Sequence, residues 1–191
     1  MKIFSKTTIV VFSFIFIILG FVSKVDASVI SDDSARLNSQ NNIENTDNSF
    51  KDMLVKNETV RRVLQKNNSP LTGETSGFMS ACLAQNIDCY LLPSISGLES
   101  SYGKFTHPDS YNPFGWGGGY ILFDSWSEGF HAVAKGLNEN YFGRGADSIE
   151  TIGPIYAASP TWSVRVASIH SEFLKTEQSI IENSYHSVLL N

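Results

Sequence analysis

Among the 19 acidic residues of the chain, Glu99 in Gly97-Leu98-Glu99-Ser100-Ser101-Tyr102-Gly103-Lys104 occupies the least usual place for a carboxylate. Helical spacing sets it one residue beyond Leu98 and four beyond Ile95, so it borders an apolar face instead of standing opposite one. Burial at such a position, and the carbonyl end of a helix closing just ahead of Gly103, both favour the protonated carboxyl. A carboxylic acid that keeps its proton near neutral pH is what a general acid needs, as in cleavage of a glycosidic bond. The competing interpretation is a surface Glu at a helix end.

Other reactive groups offer less. Cys82 and Cys89, seven residues apart, suit a disulfide in an oxidising compartment. Asp88-Cys89 at the start of a helix has the outline of a papain-like nucleophile, but Tyr90-Leu91 follows it and His131 falls in a helical pattern, so a cysteine peptidase is set aside. His107, His131, His170 and His186 show no metal-ligand spacing, and Gly117-Gly118-Gly119 lacks the Lys-Ser/Thr of a phosphate loop. Neither a metal nor a cofactor is expected.

The elements that must position these groups can be read from periodicity. Phe50, Met53, Leu54, Val60, Val63 and Leu64 share one side of a helix that Asn67-Asn68-Ser69-Pro70 stops. A second helix runs from near Glu74 towards Asn86. A third is capped by Asp88, tolerates Pro93 in its first turn, buries Leu91, Leu92, Ile95 and Leu98, and ends near Gly103. The glycines and proline between Ser110 and Phe123 exclude a helix there, and Tyr120 to Phe123 is read as one strand of a short hairpin. Helices are expected again after Ser125, from about Asp147 to Ala157, and from about Trp162 to Glu182.

Before this body lie two segments of other character. Lys2 and Lys6 precede an apolar run from Ile9 to Val22, and Val25-Asp26-Ala27 follows, the pattern of a secretory signal peptide cleaved after Ala27. The run is shorter than the roughly 20 apolar residues of a spanning helix; an uncleaved membrane anchor is the alternative. Residues 28–49, rich in Asn, Ser and Asp, are expected to form a disordered tether. The folded domain is then 50–183, with a tail at 184–191. Across all 191 residues the composition is 42% hydrophobic and 17% charged with a net charge of -5, which disfavours a polyanion such as nucleic acid. Two cysteines are too few for a disulfide scaffold, and 12% aromatic residues leave rings over to line a site.

Four stretches in order, LLPSISGLESSYGK, YNPFGWGG, FDSWSEGFHAVAKGL and IYAASPTWSVRVASI, resemble the glucosaminidase-type branch of the lysozyme superfamily. This is the mannosyl-glycoprotein endo-beta-N-acetylglucosaminidase-like domain, close to glycoside hydrolase family 73. The similarity spans about Phe50 to Phe173. It implies a mostly α, lysozyme-like α+β fold: a helical bundle-like globule with one small β-hairpin lobe beside the active-site cleft.

By the same resemblance Glu99 matches the catalytic general acid, and Tyr156 the late tyrosine that faces it and positions substrate or water. Asn112, Phe114 and Gly115 match an Asn-x-Phe-Gly element of the cleft wall. Ser100 follows the acid as in the motif, and Tyr111 precedes the Asn-x-Phe-Gly element as a further substrate-binding residue. Trp116 has no strict counterpart in the family and is assigned to the set because an indole in a glycine-flanked loop can stack on a sugar. The family's second Glu, on a longer hairpin, has no counterpart between Gly117 and Phe123. Asp109, Asp124 and Glu128 are the nearest carboxylates, and Glu128 completes a Ser125-x-x-Glu128 capping box. The expectation is therefore an exported, monomeric glycan hydrolase acting on peptidoglycan, secreted or at the cell surface, touching a membrane only through an uncleaved N-terminal segment. A lytic transglycosylase and a catalytically inactive glycan-binding module are its alternatives.

Overall fold

A computed structural model describes residues 28–190. The chain divides into two units, Met1–Ile43 and Glu44–Asn191. The signal segment at 1–27 lies outside the described residues. Among the described residues there are six α-helices: α1 (Ser28–Lys66), α2 (Thr75–Gln85), α3 (Leu91–Ser100), α4 (Trp126–Asn140), α5 (Ile149–Tyr156) and α6 (Trp162–Leu189). None is long and apolar enough to cross a membrane.

Residues 28–49, read from composition as a disordered tether, are helical instead. Side chains from Glu44 to Asp52 are exposed, so no packed face explains the helix there. Once the buried end of α1 at Thr59, Val60, Val63 and Leu64 is ordered, each further turn adds a hydrogen bond without a new nucleation cost. Lys51 bonds Asp47 and Lys56 bonds Asp52, both at 2.6 Å and i,i+4 spacing, which supports the exposed turns. At the other end α6 runs on to Leu189, through most of the segment expected as a tail.

The core of the second unit lies between these helices. Phe78 of α2 and Phe130 of α4 stack with centroids 3.9 Å apart, and Gly77 gives the Phe130 ring room. Burying rings of this kind contributes roughly 1.5–3 kcal/mol each. Both α3 and α5 pack on α6. Leu91, Leu92 and Ile95 are buried as their spacing requires, and so are Ser94 and Ser96. Those two hydroxyls return to the helix's own carbonyls, at Tyr90 and Pro93, so α3 enters the core without stranding a polar group. The Cys82–Cys89 disulfide ties the end of α2 to the turn that starts α3.

No strand occurs among the described residues, so the expected hairpin lobe is absent. Gly115, Gly117, Gly118 and Gly119 all have positive φ, which turns the chain at successive residues and prevents an extended run. In place of a partner strand, the side chain of Asn112 takes up the backbone of the loop. Its Nδ2 donates to the carbonyls of Trp116 at 2.9 Å and Ile121 at 3.1 Å, and its Oδ1 accepts from Trp116 N at 3.0 Å.

Candidate active site

Glu99 is the next-to-last residue of α3, and the sequence around it explains why the helix ends there. Ser101, Tyr102 and Gly103 all adopt left-handed backbone, with φ of 51°, 59° and 81°. Two of these are not glycine, a costly arrangement that persists only where the surroundings impose it. The Tyr102 ring folds back over Gly97, where an added Cβ would lie 2.7 Å from it. Ser69 Oγ donates to Tyr102 O at 2.7 Å. Ser100 Oγ donates to Pro113 O at 2.7 Å and accepts from Gly103 N at 2.8 Å, joining the helix end to the glycine-rich loop. The Glu-Ser pair thus divides its labour: Ser100 is buried and holds the backbone, while Glu99 is exposed.

That exposure departs from the burial inferred from the pattern of α3. The register is as expected, but the helix stops one residue later and its last turn opens to the glycine-rich loop. What the structure supplies in place of burial is a hydrogen bond: Trp162 Nε1 donates to Glu99 Oε1 at 2.7 Å. Trp162 begins α6 and is 3% exposed. It is set there by the tight α5–α6 connection, in which a Cβ on Gly153 would lie within 1.9 Å of Ser163 Oγ.

Tyr156, the last residue of α5, stacks on Trp162 with centroids 4.8 Å apart and donates its hydroxyl to Phe114 O at 2.9 Å. Burial first, then the charge of Glu99 and the neighbouring Tyr141, pushes its phenol well above the usual range. The phenol therefore stays protonated and able to donate. Trp116 and Tyr141 continue the wall, their centroids 5.9 Å and 6.1 Å from that of Tyr156. The indole of Trp116 rests on Gly136 of α4, where a Cβ would come 2.4 Å from Cζ2.

Two pockets meet at Gly115 and Gly118. One, about 250 Å³, is lined by Glu99, Ser100, Phe105, Thr106, His107, Asn112 and Tyr120 together with glycines of the loop. The other, about 300 Å³, is lined by Trp116, Tyr141 and Tyr156 over the same glycines. Glu99 is the single carboxylate on either. The arrangement can deliver or accept one proton beside an aromatic wall, and it offers donors and acceptors from Thr106, His107 and Tyr120.

The remaining residues singled out from sequence are distributed unevenly. Asn112 and Ser100 line the first pocket but spend their polar atoms on the chain itself. Phe114 is fully buried, its ring edge-on to Phe130 at 5.9 Å, so it reaches the cleft only through its carbonyl and is no platform for a sugar. Tyr111 packs edge-on against Trp126 at 5.2 Å and lines neither pocket. Of the other carboxylates, Glu128 caps α4 as its motif implied, although Oε2 accepts from Asp124 N at 2.6 Å, one residue earlier than an ideal box. Asp109 and Asp124 are exposed and line neither pocket. Among the described residues no group of three or more His, Cys, Asp or Glu side chains could hold a metal ion.

Sequence reasoning missed Trp162, Tyr141 and His107 as residues of the site. Trp162 stood in the quoted Pro160-Thr161-Trp162 run, and an indole at the first turn of a helix, six residues after Tyr156, was the available signal. A scan of protein-family models and a search of curated proteins both give no match to the chain.

Proposed function

We propose that the chain is a glycan-cleaving enzyme acting on β-1,4 linkages of N-acetylated amino-sugar polymers, with peptidoglycan as substrate and Glu99 as general acid. The observation that supports this reading is the placement of Glu99: an exposed, oriented carboxyl lining a pocket that shares Gly115 and Gly118 with a second pocket walled by the rings of Trp116, Tyr141 and Tyr156. Aromatic faces bind the apolar faces of sugar rings, and a proton donor within reach of the linkage is what cleavage requires. Glu99 gives its proton to the glycosidic oxygen as the bond from C1 breaks, and the electron pair leaves with that oxygen. Trp116 holds a sugar, Asn112 keeps Trp116 in place, and Tyr156 braces the wall. The disulfide is in keeping with export by the predicted signal segment.

A second reading draws on a specific observation: neither pocket presents a second carboxylate to act as nucleophile or base. The electrophilic C1 must then be met by the substrate itself. Its own N-acetyl oxygen does so in a hydrolase of the substrate-assisted kind, before water completes the reaction; its 6-hydroxyl does so in a lytic transglycosylase. Mass analysis of the soluble products from purified peptidoglycan tests both. Reducing ends support hydrolysis and anhydro ends transglycosylation. Co-sedimentation with the polymer without any soluble product would overturn the enzymatic reading in favour of a binding module.

A further inference from the structure

We propose that Trp162 is a positioning residue that decides which oxygen of Glu99 carries the transferable proton. The inference rests on the reading of Glu99 as a general acid and adds to it a direction. Indole Nε1–H can donate and cannot accept. With that donor 2.7 Å from Oε1, the acid's own proton belongs on Oε2. Oε2 is the oxygen turned toward Gly115, where an added Cβ would lie 3.9 Å from it, and Gly115 is common to both pockets. The transferable proton therefore faces the meeting point of the two pockets, where a linkage spanning them would lie.

The device needs a rigid donor, and the surroundings supply one. Trp162 is nearly fully buried, stacked on Tyr156, which is in turn tied to Phe114 O. Glu99 is exposed, and among the described residues Trp162 is the one hydrogen-bond donor to its side chain. Without the indole the carboxyl is free to rotate and to exchange the roles of its oxygens. As the Oε2–H bond breaks and the proton passes to the glycosidic oxygen, negative charge grows on the carboxylate and the bond from Nε1 becomes charge-assisted. An interaction that strengthens on the way to the transition state acts on kcat more than on KM.

The test compares wild type and Trp162→Phe, which keeps the ring and removes the N–H, on two substrates. On the polymeric glycan kcat is expected to fall roughly 10- to 100-fold, the value of a hydrogen bond to a charged group, with KM within about twofold. On an N-acetylglucosamine oligomer bearing a dinitrophenolate, which departs without a proton, the variant is expected within about threefold of wild type. Equal losses on both substrates, or an unchanged kcat on the polymer, would overturn the proposal. An inactive wild type would remove the reading of Glu99 together with it; an active wild type with an unaffected variant would remove the proposal alone. A second measurement does not depend on the variant folding. The Trp162 indole N–H resonance is expected to shift with pH in the wild type and to stop shifting in Glu99→Ala; a resonance insensitive to pH in both contradicts the proposal.

Discussion

Asn112 and Trp116 exchange two hydrogen bonds, Oδ1 accepting from Trp116 N and Nδ2 donating to Trp116 O, so a buried amide side chain does for the glycine-rich loop what a partner strand does in a hairpin. Asn112→Ala removes these and the bond to Ile121 O together, and it strands backbone groups of the loop. The expected outcome is a loss of about 2–4 kcal/mol, read from the urea midpoint at unchanged slope, with glycan cleavage reduced because Trp116 and Gly115 lose their places. Asn112→Asp, which keeps the acceptor and loses the donor, is expected to fall between.

Gly136 is where α4 makes room for the Trp116 indole. Gly136→Ala gains about 1 kcal/mol of helix propensity and forces the ring to move. KM for soluble chito-oligosaccharides is expected to rise roughly threefold to tenfold with kcat little changed, in line with a ring contact of about 1 kcal/mol. An unchanged KM would mean that Trp116 does not touch the sugar.

Asp88 links the start of α3 to α6. Its Oδ1 accepts from Tyr90 N at 2.7 Å, and Oδ2 lies 2.9 Å from His170 Nε2. Burial opposes its ionisation, but the bonds from His170 and Tyr90, with the charges of His170 and Lys56, outweigh it and hold the carboxyl below its ordinary 3.8. A lowered carboxyl stabilises the fold above its unfolded value and loses that contribution as pH falls through the folded one. The difference in Tm between wild type and Asp88→Asn is therefore expected to be full at pH 6 and to close below about pH 4. A gap independent of pH down to 2 would contradict the assignment.

The Cys82–Cys89 bond closes a short loop and anchors the end of α3 opposite Glu99. Replacing both cysteines with serine is expected to cost about 2–3 kcal/mol, or roughly 5–10 °C in Tm, on the chain-entropy account. Thermal unfolding with and without reductant checks it; equal Tm values would show that the bond is dispensable.

How much of this was legible in the sequence depended on the range of the interaction. The close of α2 at Asn86 and the start of α4 at Ser125 with Glu128 followed from local chemistry, whereas α3 starts after Tyr90, two residues beyond the cap expected at Asp88, whose carboxylate accepts from Tyr90 N in the preceding turn. Each depends on contacts a few residues away. The hairpin was misread because Tyr120 to Phe123 has strand-like residue types, whereas its conformation is set by a side chain at Asn112 and by consecutive glycines upstream. Residues 28–49 were misread because composition reports on a segment alone and says nothing of the helix it continues. At the candidate site, the motif pointed to Glu99, but the burial expected for it is absent and the structure has in its place a hydrogen bond from Trp162, 63 residues later in the chain. No periodicity reports a contact of that separation.

The central claim is that Glu99 donates the proton that breaks the glycosidic bond. The most direct test is the rate of release of soluble fragments from purified peptidoglycan by the wild type and by Glu99→Gln, which preserves shape and an acceptor for Trp162 but has no acid proton to give. The account predicts a loss of at least about 100-fold in the variant with binding to the polymer retained. A Glu99→Gln protein that releases fragments at the wild-type rate would contradict it.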